Sequence, residues 1–255
     1  MLTENITRLR ELHTFDKGVF VANEKYDQTF CNFILSLALV WNDLKNTMLF
    51  YEHIKFIESE KTQKEDEEKP SISPFWGETA GIKVHLEKLV AATIHELYKL
   101  IDKSKTVIKS KEFVQLMRQL DKPSREAWEN LILFSKDIKK PKTAFNHSLL
   151  RIRNTIASHY DPREIFRGYK NKFLHDENEP FISIGNSMAE SRFFFADAAA
   201  QEYTRSLIGE NFLVEYYSHF NSTKGNINIA IYKLILTFVQ KRSAWKKILS
   251  EQGHR

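Results

Sequence analysis

A single cysteine, Cys31, stands among 255 residues, so no internal disulfide can form. Its neighbours Phe30, Phe33 and Ile34 mark it as a small buried hydrophobe in a reducing compartment. Glycine and proline are scarce as well, at 8 and 6, too few for the many turns of a sandwich or barrel. The longest apolar stretch, Phe33 to Trp41, is broken by Ser36, whereas crossing a bilayer takes about 20 apolar residues. Met1 to Lys17 carry no apolar signal-peptide core, and a cytoplasmic protein without membrane contact is the expectation. Charge of one sign is in small excess only: 38 Lys and Arg against 33 Asp and Glu leave +5.

What is present suits helices. The chain is 42% hydrophobic, with 19 Phe and long Leu, Ile, Lys and Glu-rich stretches, enough for a sizeable core. From Tyr26 to about Ile57 the apolar residues Phe30, Phe33, Leu37, Trp41, Leu44 and Met48 recur mainly at three- and four-residue steps, which predicts one long helix. Residues 58–74, with six acids and three lysines before Pro70 and Pro74, read as an exposed loop. Further helices are expected over about 81–101, 113–120, 124–138, 143–160 and 226–250. Asp161-Pro162 with Glu164, and Ser187 with Glu190, read as two helix starts. Phe181 to Ile184 reads as a short extended piece. The fold class expected is all-α, a helical bundle in one domain over 1–255.

Several chemistries lack their residues. There is no G-x-x-x-x-G-K-[ST] loop and no G-x-G-x-x-G, so the standard phosphate cradles are missing. His95-Glu96 starts an H-E-x-x-H pattern, but Lys99 stands where the second imidazole belongs. The doublet His175-Asp176, with His147 or His159 and Asp197, resembles the metal ligands of HD-type phosphohydrolases, which is a third reading of the function.

The informative stretch runs from Phe145 to Pro162. It holds Arg153, the polar Asn154 directly after it, and His159 five residues further on, at the end of a helix stopped by Asp161-Pro162. Leu149, Ile152 and Ile156 form one stripe, with Arg153 and His159 about 60° to either side and about 9 Å apart along an α-helix. The same spacing recurs at Arg8 and His13, but there the apolar Leu9 follows the arginine.

This stretch resembles the signature of the HEPN superfamily, R-x(4 to 6)-H with a polar residue just after the arginine. The resemblance covers Pro141 to His175. It implies an all-helical endoribonuclease, in the manner of a toxin or phage-defence effector, that needs no metal or other cofactor and works as a homodimer with paired sites. In the implied reaction a ribose 2′-hydroxyl attacks the adjacent phosphate, leaving 2′,3′-cyclic phosphate and 5′-hydroxyl ends. His159 would move the proton, Arg153 would hold the phosphate, and Asn154 would orient one or the other. Lys139, Lys140 and Lys142 precede the motif helix and Arg151 lies within it; all four are candidates for contact with the RNA backbone. An antitoxin or other regulatory partner is implied too, though Asp161 stands where the modified tyrosine of one toxin subgroup would be. An inactive HEPN-like scaffold is the alternative.

Overall fold

Helix formers and an apolar period of three to four residues produce what they should, an all-α chain. The computed structural model describes residues 12–64, 73–158, 160–175, 179–184, 186–188, 191–244 and 246–248. Among these are nine α-helices: α1 (Gln28–Lys64), α2 (Pro74–Lys103), α3 (Lys105–Ile108), α4 (Lys111–Met117), α5 (Lys122–Ser135), α6 (Ala144–Ile152), α7 (Pro162–Tyr169), α8 (Phe194–Ile208) and α9 (Leu213–Arg242). Two strands, β1 (Leu12–Thr14) and β2 (Lys246–Ile248), pair antiparallel with Leu12 opposite Ile248. No helix is long and apolar enough to cross a membrane, among the described residues. The chain groups into two compact units, residues 1–45, 96–139 and 221–255 in one, 46–95 and 140–220 in the other.

The first unit is organised by aromatic rings. Phe30 of α1 lies 5.7 Å from Phe238 of α9 and 6.4 Å from Phe113 of α4, and Phe113 meets Trp128 of α5 edge-on at 5.7 Å. Trp128 is wholly buried, and its indole N–H donates to the Ala230 carbonyl at 3.0 Å. Leu37, Leu97, Ile101, Leu131 and Leu234 fill the remaining space, each such side chain stabilising the fold by roughly 1.5–3 kcal/mol. Ser110 caps α4 by accepting from Phe113 N, and Asp121 caps α5 by accepting from Ser124 N at 2.8 Å. Cys31 is buried as expected, with Arg242 Nη1 3.0 Å from its sulfur.

The second unit holds α6, α7 and α8 together with one end each of α1, α2 and α9. Thr143 caps α6 by accepting from Asn146 N at 3.2 Å, and Leu149, Ile152 and Ile156 form the expected buried stripe. Asp161 caps α7 by accepting from Arg163 N at 3.0 Å, with Pro162 in the first turn. Gly168 of α7 lets two helix backbones meet, because a Cβ there would overlap the Ala199 carbonyl oxygen of α8. Arg192 ties Glu78 of α2 to Asp197 of α8 at 2.7 and 2.8 Å.

Some boundaries differ from expectation. Residues 58–64 belong to α1 and do not open a loop; Glu and Lys are good helix formers, and Glu58 pairs with Lys83 of α2 at 2.8 Å. The next helix starts at Pro74, ahead of Gly81, because proline is tolerated in a first helical turn. Ser187 is not the cap of α8: that helix starts at Phe194, with Phe193 as an N-cap that makes no side-chain bond. Glu190 lies outside the described residues. The last helix runs from Leu213 to Arg242, and Lys246–Ile248 beyond it form β2. His13, of the second Arg-His match, sits in β1 opposite Lys247, and Arg8 lies outside the described residues.

Candidate functional site

The motif helix changes its geometry at the arginine. Regular α6 ends at Ile152, and Arg153 to Ala157 form a single π-helical turn that closes at Ser158. Such a turn inserts one residue into the helical ladder and is common at functional sites. It also shifts the residues after Ile152 away from the positions that a straight α-helix over 143–160 would give them. Thr155 and Ile156 remain buried, Arg153 is half-buried and Asn154 is exposed.

Arg153 and Asn154 are brought together. Arg153 Nη1 donates to Asn154 Oδ1 at 2.9 Å, which orients the planar guanidinium at the surface end of the helix. His159 lies outside the described residues. Its neighbours bracket a tight connection: Asp161 N–H donates to the Thr155 carbonyl at 2.8 Å, and Tyr160 adopts a φ of 47°. A left-handed backbone at tyrosine costs about 1–3 kcal/mol and is held only where the surroundings demand it. Strain and a π-turn therefore meet within the same few residues.

Beneath this surface lies a polar support that the sequence reading missed. Tyr203 of α8 donates its hydroxyl to Thr155 Oγ1 at 3.3 Å, and both residues are buried. Arg151 pairs with Glu164 of α7 at 2.8 Å. Burial opposes the charge on Arg151, yet Tyr203 and Glu164 beside it raise its pKa above the ordinary arginine value. Thr155 and Glu164 lie within the motif stretch and offered a weak signal. Tyr203 is 48 residues away and offered none.

The basic residues divide. Lys139 sits in the first unit, where it pairs with Asp102 at 2.6 Å; Lys105 pairs with the same carboxylate. Arg151 is committed to Glu164. Lys140 and Lys142 are exposed. Internal pairs therefore engage Lys139 and Arg151, two residues expected to meet a phosphate backbone.

Among the described residues the HD-type ligand set is not assembled. His147 and His175 are exposed, Asp176 lies outside the described residues, and Asp197 is held by Arg192. Among the described residues no group of three or more His, Cys, Asp or Glu side chains could hold a metal. Chemically, the Arg153 and Asn154 pair offers an oriented cation and an amide at an exposed helix end, suited to an anionic oxygen. Comparison with protein-family models, with curated proteins and with solved structures finds no match for this chain.

Proposed function

We propose that this protein is a HEPN-type, metal-independent endoribonuclease, working as a cytoplasmic homodimer and serving as a toxin or phage-defence effector. The observation that carries the reading is the Arg153 to Asn154 hydrogen bond at the π-turn, which orients a guanidinium fork seven residues before the strained, exposed Tyr160. In this reading Arg153 binds the scissile phosphate and offsets the charge that develops on its oxygens. His159 moves the proton between the 2′-hydroxyl and the departing 5′-oxygen. The phosphorus to 5′-oxygen bond breaks as the bond to the 2′-oxygen forms, and Asn154 keeps the fork in plane. Exposed Lys140 and Lys142 draw in the RNA, whereas Arg151 and Lys139 are reassigned to structural pairs.

The test is cleavage of a labelled single-stranded RNA in EDTA. Arg153→Ala should slow it by about 10²–10³-fold, and His159→Ala by about 10²–10⁴-fold, with DNA resistant and the wild-type products ending in 2′,3′-cyclic phosphate. Mass measurement should give a dimer, and expression of wild type but not of Arg153→Ala should arrest growth. Cleavage that survives both substitutions, or that chelator abolishes, refutes the reading. An inert wild type that is harmless to cells would make the inactive scaffold the better account.

A further inference from the structure

The first unit carries an open pocket of about 500 Å³ that the ribonuclease reading does not use. Its size falls within the range for small-ligand sites, about 300–1,000 Å³. The walls come from the short helical turn Lys17–Phe20, the connection that leads into α1, and the last residues of α9. Three cations line it, Lys25, Lys241 and Arg242, against the carboxylate of Asp16.

Among the described residues none of these cations is paired with a carboxylate. Arg242 is half-buried and fixed in place. Its Nη2 donates to the Val21 carbonyl at 2.7 Å, its Nη1 lies 3.0 Å from the Cys31 sulfur, and its guanidinium sits 5.1 and 5.4 Å from the ring centres of Tyr26 and Phe238. Those partners are neutral, so the charge on Arg242 is uncompensated. Lys25 and Lys241 are exposed. Partial burial and the Lys25 ammonium push the Lys241 ammonium below the ordinary lysine value, so two like charges stand close enough to repel. Asp16 is engaged by its own turn, accepting from Gly18 N at 2.6 Å. The buried Tyr26 ring packs against Phe30, Phe238 and Arg242 and offers no free face to a nucleobase, so recognition rests on charge.

We propose that this pocket binds the phosphate of a small phosphate monoester, with Lys25, Lys241 and the fixed Arg242 supplying its counter-charge. Three cations and one carboxylate leave two positive charges in excess, and the C-terminal end of α9 offsets about half a charge of that. A phosphate monoester, at about −1.5 to −2 near neutral pH, matches what remains. A phosphodiester or a monocarboxylate brings one negative charge only and would leave the two lysines repelling each other. A dicarboxylate spreads its two charges, whereas lysines that repel at close range favour one compact dianion, and both lysine and arginine bind phosphate well.

The test follows ³¹P resonance shifts when methyl phosphate or dimethyl phosphate is titrated with the full chain at pH 8 and low salt. Methyl phosphate should bind saturably with a Kd below about 1 mM, at least about tenfold more tightly than the singly charged diester. Succinate should displace it only weakly. Lys25→Met and Lys241→Met should each weaken binding by about tenfold, and the double variant should abolish it, with circular dichroism unchanged. Lys122→Met, on α5, should leave it within about twofold of wild type. Arg242 also holds Val21 and Tyr26, so the lysines carry the test. No saturation below about 10 mM, or full binding by the double variant, would overturn the proposal. Should a variant misfold, equal binding of the two esters to wild type overturns it instead. No RNA enters these readouts, so this site and the ribonuclease stand or fall separately.

Discussion

Replacing glycine by alanine inside a helix should stabilise it by about 1 kcal/mol, since alanine loses less backbone freedom on folding. Two glycines of this protein should give opposite signs. Gly225, exposed in the middle of α9, has nothing within 4 Å of the place a Cβ would occupy. Gly225→Ala should therefore raise stability by about 0.5–1 kcal/mol. At Gly168 a Cβ would overlap the Ala199 carbonyl oxygen and lie 3.0 Å from Tyr203 N. These neighbours are backbone atoms of α8 and cannot rotate aside, whereas carbon-to-oxygen contacts relax only near 3.3–3.6 Å. To accept the methyl, α7 and α8 must separate by about an ångström, with a repacking cost that outweighs the gain in propensity and leaves a net loss of about 1–3 kcal/mol. The separation also moves Tyr203 from Thr155, directly beneath Arg153 and Asn154. Urea denaturation followed by circular dichroism measures both variants, with unchanged m-values marking a change in stability alone. A stabilised Gly168→Ala would refute the close packing of α7 on α8. A destabilised Gly225→Ala would refute the open surface at α9.

Three further outcomes are expected. Lys105 and Lys139 hold the Asp102 carboxyl below the usual carboxylate range; the stability it confers is complete above that range and fades as pH falls through the depressed value. Asp102→Asn should accordingly cost on the order of 1 kcal/mol at neutral pH, with the gap to wild type closing in acid; a gap that stays constant down to strongly acid pH would contradict the pairing. Trp128→Phe removes the indole N–H bond to the Ala230 carbonyl and should cost about 0.5–1.5 kcal/mol, read from the same denaturation curves. Arg153→Lys retains charge but loses the planar fork, so RNA cleavage should fall well below wild type without loss of folding; full activity would mean that charge alone suffices.

Helices were legible wherever an apolar stripe met a capping residue. Leu149, Ile152 and Ile156 with Asp161-Pro162 located α6 and the start of α7. Residues 58–64 were not legible as helix, because a Glu and Lys-rich run reads alike as connector or as polar helix, and the partner that decides, Lys83, lies 25 residues away. The π-turn at Arg153 carries no residue signature, since it is a change of hydrogen-bond register and not of composition. Lys139 and Arg151 read as solvent-facing cations for the same reason of distance: Asp102 and Glu164 become their neighbours only in the folded chain. Of the candidate site, Arg153 and Asn154 were legible as adjacent polar residues, while the hydrogen bond between them and the Tyr203 support needed the tertiary structure.

The interleaving of the two units sets an order of events during synthesis. The first unit draws on residues 1–45, 96–139 and 221–255, so the wall formed by Ala230 and Phe238 reaches Trp128 and Phe30 only when the last part of α9 has left the ribosome. The second unit closes with residue 220, one piece earlier. Pairing Leu12 with Ile248 closes one of the longest loops the chain allows; because closure entropy grows only slowly with length, this delays the pairing more than it weakens it. Pulsed hydrogen exchange on ribosome-held chains long enough for residue 225, but not the rest of α9, to have left the exit tunnel should therefore find α6, α7 and α8 protected while α5 still exchanges, and equal protection of both would sink this order. A growing chain would thus hold the Arg153 surface formed before its first unit is complete.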